Sequence, residues 1–245
     1  MITDTPTNTR VDEIAAGIYR ISTPVTTIPG GFSFNRYLVA DEAPLVFHTG
    51  PRGMLALTRG AIEAVLPLER LRWVAFSHFE NDECGALNGL LAAAPGAAPL
   101  CGRINALVNG DAFDRPARAL ADGEALDLGT HAVRWIDAPH VPHAWECGYL
   151  IESTTRTFLC GDLFTQPGTG EAALTRDDIL GPSEALRASL DYYAHARDTH
   201  ARLERMAAER PATLACMHGS AWTGDGAALL QALAARVAAD GPRIG

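Results

Sequence analysis

At 245 residues, 47% of them hydrophobic, the chain is long enough to bury a substantial core, and a net charge of −9 argues against nucleic acid as its main partner. There is no lysine, which excludes Schiff-base catalysis, pyridoxal phosphate attachment and a P-loop lysine, since each needs a side-chain amine. Five cysteines (Cys84, Cys101, Cys147, Cys160, Cys216) with no C-x-x-C pair argue against a disulfide framework, a zinc ribbon or an iron–sulfur cluster.

No apolar run approaches the length of a bilayer span, and Met1–Pro6 lacks the basic and apolar regions of a signal peptide. A cytoplasmic protein without a membrane partner is expected. Residues 1–16 are polar and read as an irregular lead-in. No linker rich in Pro, Gly and Ser divides residues 17–245, which predicts one domain.

Short strands are predicted at Ile18–Ser22, Tyr37–Ala40 and Leu45–Phe47, the first two separated by the turn Pro29-Gly30-Gly31. Met54–Val65 reads as a helix, Leu71–Phe76 as a buried strand, Ala86–Ala93 as a helix and Pro99–Cys101 as a strand. After Asp122-Gly123, strands resume at Ala125–Leu128 and Val133–Ile136. Tyr149–Glu152 and Arg156–Leu159 suggest a hairpin around Ser153-Thr154-Thr155. Ser183–Met206 reads as one long amphipathic helix, carrying His195 and His200 towards solvent. Ala227–Ala238, with Asp225 as N-cap, closes the chain.

The densest chemistry lies in Ser77–Gly85, S-H-F-E-N-D-E-C-G, directly after the strand Leu71–Phe76. His78, Glu80, Asp82 and Glu83 sit on a loop at a strand's C-terminal end, where open α/β sheets hold their ligands. Carboxylates this close repel one another, and a bound cation reverses that repulsion. The bland alternative is a solvated acidic turn starting the next helix. Later strands exit in the same way: Ala138-Pro139-His140-Val141-Pro142-His143, Cys160-Gly161-Asp162 and Met217-His218-Gly219 each place His or Asp beside Gly or Pro. Four such exits could converge on one edge of a sandwich. Cys160 and Cys216 read as core residues, and Cys84 and Cys147 as neighbours of the site.

The order H-x-E-x-D-E, H-x-P, G-D, H-G resembles the metal-binding motifs of the metallo-β-lactamase superfamily. Glu80, where the superfamily's hydrolases carry His, resembles the flavodiiron proteins. Phe47-His48-Thr49-Gly50 and Pro139–Trp145 are similar to the stand-alone oxygen-binding diiron proteins related to the flavodiiron core. Glu83 departs from both patterns, which end in His. Over residues 17–235 the resemblance implies an α/β fold, a four-layer αββα sandwich with metal bound at one end. It also implies a ligand set: His78, Glu80 and His140 on one metal, Asp82, Glu83 and His218 on the other, and Asp162 bridging. His140 and His143 compete for one place; H-V-P favours His140, leaving His143 to a supporting role. His48 and Trp145 are further candidates beside the metals, and Trp222 could also wall the pocket.

Four carboxylates and three imidazoles form a hard, oxygen-rich donor set, which favours iron, with manganese or zinc as alternatives. The implied function is dioxygen binding, sensing or reduction. No flavin is expected in this chain, so an external electron donor protein would drive any turnover. The alternative is a binuclear hydrolase acting on a small-molecule ester, thioester or lactone through a bridging hydroxide. The oligomeric state stays open, a homo-oligomer included.

Overall fold

The computed structural model describes residues 1–240. Its first half forms an eight-stranded sheet in sequence order: β1 (Ile2–Asp4), β2 (Thr9–Ala15), β3 (Ile18–Val25), β4 (Phe32–Val39), β5 (Leu45–Phe47), β6 (Trp73–Ala75), β7 (Ala98–Gly102) and β8 (Arg118–Leu120). β1 to β5 are antiparallel and β5 to β8 parallel. The second half contributes β9 (Ala125–Asp127), β10 (Ala132–Asp137), β11 (Gly148–Glu152), β12 (Thr157–Gly161), β13 (Leu174–Thr175), β14 (Thr213–Cys216) and β15 (Ala221–Thr223). These form a seven-stranded sheet in the order β13-β15-β14-β12-β11-β10-β9.

Three buried clusters define the layers. Ile18, Tyr37, Phe47, Leu100, Trp135, Leu150 and Leu159 fill the space between the sheets. On the outer face of the first sheet, Ile21, Leu38, Val74 and Phe76 meet Ala61 and Ile62 of α1 (Leu55–Glu63) and Leu90 and Leu91 of α3 (Leu87–Ala93), α3 following the one-turn α2 (Asn81–Cys84). α4 (Arg103–Asn109) joins β7 to β8. On the far side, Tyr149, Phe158 and Leu214 pack with α5 (Leu180–Leu190), α6 (Thr199–Ala208) and α7 (Gly226–Asp240), supplying Leu203, Met206, Leu230 and Leu233. The chain thus has the four-layer αββα sandwich expected of it.

Two predicted elements are corrected. Residues 1–16 are not an irregular lead-in, because β1 and β2 extend the first sheet beyond β3. The segment looks polar because few of its residues are apolar, yet Val11 packs on the helix-covered face of the sheet and Ile14 between the two sheets. The helix predicted over Ser183–Met206 is two helices. α5 ends at Asp191 in the left-handed region (φ 49°), and Ala194 N–H donates to Pro142 O at 2.7 Å. Tyr193 turns into the core at 4% exposure, so burial of aromatic side chains overrides the helical pattern there. His195 consequently sits in the connection, 2.8 Å from an Asp191 oxygen rather than on a helix facing solvent. Asp225 does cap α7, accepting from Ala228 N–H at 3.1 Å. Among the described residues no helix is long and apolar enough to cross a membrane.

Candidate metal centre

His78 leaves β6 two residues before Glu80, whose extended backbone (φ −131°, ψ 166°) starts α2. One turn of helix then presents Asp82 and Glu83 towards the second half of the chain. Backbone bonds hold this segment: Phe79 N–H donates to Glu146 Oε1 at 3.0 Å, and Thr49 N–H to Glu83 O at 2.7 Å. From the second sheet come Asp162 after β12 and His218 after β14. Gly161 precedes Asp162 with φ 50°, and a Cβ there would lie 3.0 Å from Tyr149 and 3.2 Å from Ser77 Oγ, so glycine relieves both backbone strain and crowding where the chain turns into the site.

The side chains converge in two groups. On one side, His78 Nε2 lies 3.1 Å from His143 Nε2, 3.5 Å from Glu80 Oε1 and 3.6 Å from Asp162 Oδ2. His143 Nε2 is 3.2 Å from Glu80 Oε1 and 3.5 Å from Asp162 Oδ2. On the other side, His218 Nε2 is 3.4 Å from Asp82 Oδ2 and 3.3 Å from Asp162 Oδ1. The two oxygens of Asp162 therefore face opposite groups, the disposition of a bridging carboxylate. Glu83 belongs with His78 and Asp162 and also with Asp82 and His218. Ligands about 2.1 Å from a common ion lie about 3.0–3.4 Å apart, close to the shorter of these separations. The donors fit a binuclear metal site.

The structure places the two competing histidines differently from the expectation. His143 joins the cluster, whereas His140 is exposed and lines a surface depression with Pro139, Arg197 and Arg202. The loop backbone explains this: His140 (φ 65°) and Ala144 (φ 58°) are both left-handed, and His140 N–H closes on Ala144 O at 2.9 Å. That turn sends the two histidines to different faces, which H-x-P spacing does not reveal.

The supporting groups set ring tautomers. Ser77 N–H donates to His48 Nε2 at 3.4 Å, so that nitrogen accepts and the His48 proton sits on Nδ1, 2.8 Å from Met217 Sδ. Ser77 Oγ lies 3.0 Å from His48 Nε2 and 2.9 Å from His78 Nδ1. Its hydroxyl donates to His48 and accepts from His78, which fixes the ring with Nε2 of His78 facing the cluster. His218 Nδ1 donates to Ser33 O at 2.8 Å with the same result, and its ring stacks on Phe32 at 4.3 Å.

Burial drives the His48 pKa down to about 3, so this ring is neutral. Hydrogen bonds from His143 and His78 hold the Glu80 carboxyl down at about 2. For His218, burial opposes the charged ring, but Asp162 and Asp82 outweigh it and lift the ring to about 9. Glu83 moves the other way. Burial first, then the charges of Asp162 and Asp82, push it well above the carboxylate range. Both its carboxylate oxygens are buried with no hydrogen-bond partner.

Cys84 and Cys147 are buried neutral thiols that donate to Glu80 O at 3.1 Å and Val141 O at 3.2 Å, fastening loops rather than ligating. Trp145 is 56% exposed. Trp222 does not wall the site; it packs on the second-half core and donates to Asp177 O at 3.1 Å. Sequence reasoning missed Ser77 and Tyr192. Tyr192, hidden in the supposed long helix, approaches His143 edge-on at 6.1 Å between ring centroids.

No family model matches the chain. It is 33% identical over 155 residues to a hydroxyacylglutathione hydrolase of Acidiphilium cryptum (strain JF-5), covering 57% of this chain and 56% of that protein. It is 26% identical over 176 residues to a rubredoxin-oxygen oxidoreductase of Megalodesulfovibrio gigas, covering 69% of this chain and 42% of the relative. The chain thus spans about half the length of the curated relatives it matches. Among solved structures, the metal-soaked flavodiiron core from Synechocystis sp. PCC6803 superposes with a TM-score of 0.79 at 18% identity, over 94% of this chain and 61% of that one. The chain has the metallo-β-lactamase fold in the form seen in flavodiiron cores.

Proposed function

We propose that the chain holds two iron ions between its sheets and binds, senses or reduces dioxygen there. His78, Glu80 and His143 would take one ion, Asp82, Glu83 and His218 the other, and Asp162 one oxygen to each. The observation that carries this reading is Glu83, a fully buried carboxylate whose two oxygens lack any hydrogen-bond donor and face the carboxylates of Asp82 and Asp162. A buried carboxyl with no donor among other carboxylates is driven towards its neutral form, and bound cations would restore and balance its charge. Four carboxylates among seven donors favour iron or manganese over zinc.

When bound, two such ions supply the redox equivalents that dioxygen chemistry requires. The chain's own part is orientation and shielding. Ser77 and Ser33 hold the Nε2 atoms of His78 and His218 towards the centre. Phe32, Phe34 and Tyr192 screen the imidazoles from water. Glu80, with half its side chain exposed, marks the open side where a small molecule enters. Repeated reduction would draw electrons from a donor protein, whereas reversible binding or sensing would not.

A second reading, hydrolysis of a thioester or related ester, is favoured by the similarity to the hydroxyacylglutathione hydrolase. Against it, Glu80 and Glu83 add negative charge that weakens the metals as Lewis acids. Anaerobic purification followed by metal analysis, optical spectra before and after air, and a thioester assay separates the two. Two irons per chain with an absorption band that appears in air supports the first reading. A colourless two-zinc protein that turns over thioester replaces it with the second.

A further inference from the structure

Two arginines are buried with no carboxylate in ion-pair contact, although Asp12 of β2 stands opposite Arg20 in the strand register. Arg36 of β4, 0% exposed, gives both terminal nitrogens to Thr23 Oγ1 at 3.0 Å. From there hydroxyls run through Thr9 and Thr7 to Asp4 Oδ2, with steps of 3.0, 2.7 and 2.6 Å, so its charge is relayed to a carboxylate at the surface. Arg20 of β3 has no such outlet. At 1% exposure it donates from Nη2 to Gly219 O at 2.7 Å and Gly170 O at 3.0 Å. Its Nε is buried with no acceptor. An arginine that merely packs would carry its guanidinium out to water, and one that stays buried normally has an anion for a partner.

Arg20 forms one wall of an open cleft of about 780 Å³, within the size range of small-molecule sites. Arg10 forms another wall. It is held only by a 3.4 Å contact to Asp12, and its Nε is likewise buried and unpartnered. Ser22, Thr26 and Thr169 add hydroxyl donors, and Glu171 is the acidic group on the rim. None of the residues lining the cleft belongs to the metal-capable cluster. Two guanidinium forks with surrounding hydroxyls match a tetrahedral dianion, which offers several acceptors to directional donors. We propose that this cleft binds the phosphate group of a small phosphorylated molecule, as a site separate from the metal centre.

The test is to titrate the metal-loaded protein with inorganic phosphate and with adenosine 5′-monophosphate. Citrate, and sodium chloride at matched ionic strength, serve as controls, and binding is read by calorimetry and melting temperature. A saturable rise in melting temperature with a phosphate probe is expected, lost in Arg20→Met, weakened about tenfold in Arg10→Glu and kept in metal-depleted Asp162→Ala. Tighter binding of the monophosphate supports an ester as the ligand, and equal affinity supports the free anion. The proposal is overturned by no saturable response to either probe, by a response to citrate alone, or by a response that vanishes in Asp162→Ala. Should Arg20→Met fail to fold, Arg10→Glu decides, because an undiminished response in that variant overturns the site.

Discussion

Glu83 concentrates the electrostatic tension of the site in one residue. It is the most buried of the four clustered carboxylates and has no donor for either oxygen. Glu83→Gln removes the cost of holding that carboxyl protonated at neutral pH while keeping the shape. The metal-free variant should be more stable than metal-free wild type by about 1–3 kcal/mol, and metal should stabilise it less, as denaturant titrations with and without metal would show. Asp162→Ala should lose both ions of the proposed centre, because its two oxygens face the two donor groups; a full two-metal content by elemental analysis would remove it from the bridge. His143→Ala should lower metal content where His140→Ala leaves it unchanged.

His48 makes a pH prediction of definite sign. Its folded pKa of about 3 lies below the ordinary value of 6.5, so the unfolded chain binds a proton that the folded chain refuses. The stability it permits is complete above pH 6.5 and falls as pH drops towards 3, by at most about 1.4 kcal/mol per unit. Between pH 6.5 and 5, His48→Asn should flatten the slope, and asparagine tolerates the left-handed backbone (φ 66°) at that position. An unchanged slope in urea melts across that window would show that His48 is not the group responsible.

At the scale of elements, short pieces of regular structure do most of the positioning. One turn of α2 carries Asp82 and Glu83, and the interruption between α5 and α6 frees Tyr192 to meet His143. The N-terminal hairpin is equally structural. Ile14 of β2 is 6% exposed and packs between the sheets. Ile14→Ala should therefore destabilise the protein by about 2–4 kcal/mol, whereas the same change in an irregular lead-in would shift the unfolding midpoint hardly at all.

For the whole molecule, the centre lies where loops from both sheets meet, with His78, Glu80, Asp82 and Glu83 from one half and His143, Asp162 and His218 from the other. An ion bound there ties the halves together and binds only the folded state. Chelation should lower the melting temperature, and by more in wild type than in Glu83→Gln, whose empty site repels less. Coincident melting of apo and metal-loaded wild type would mean that the carboxylates are not confined as described.

The residues that form the cluster were legible in the chain, because ligand-type side chains at strand exits are a local pattern of composition and spacing. Strands such as Leu45–Phe47, and the hairpin of β11 and β12, followed from apolar runs bounded by turn residues. What only the tertiary structure decided depends on contacts distant in sequence. His143 rather than His140 faces the centre because two left-handed residues reverse the loop between them and the next strand. The N-terminal strands exist because β3 offers an edge to pair with, and the long amphipathic pattern breaks because Tyr193 is worth more in the core than in a continuous helix. The tautomer relay from His48 through Ser77 to His78 joins positions 29 residues apart, and the cleft at Arg20 depends on carbonyls at Gly170 and Gly219. Periodicity reports which face of an element is apolar; it carries no information about which distant groups will meet there, and that is settled only when the sheets pack.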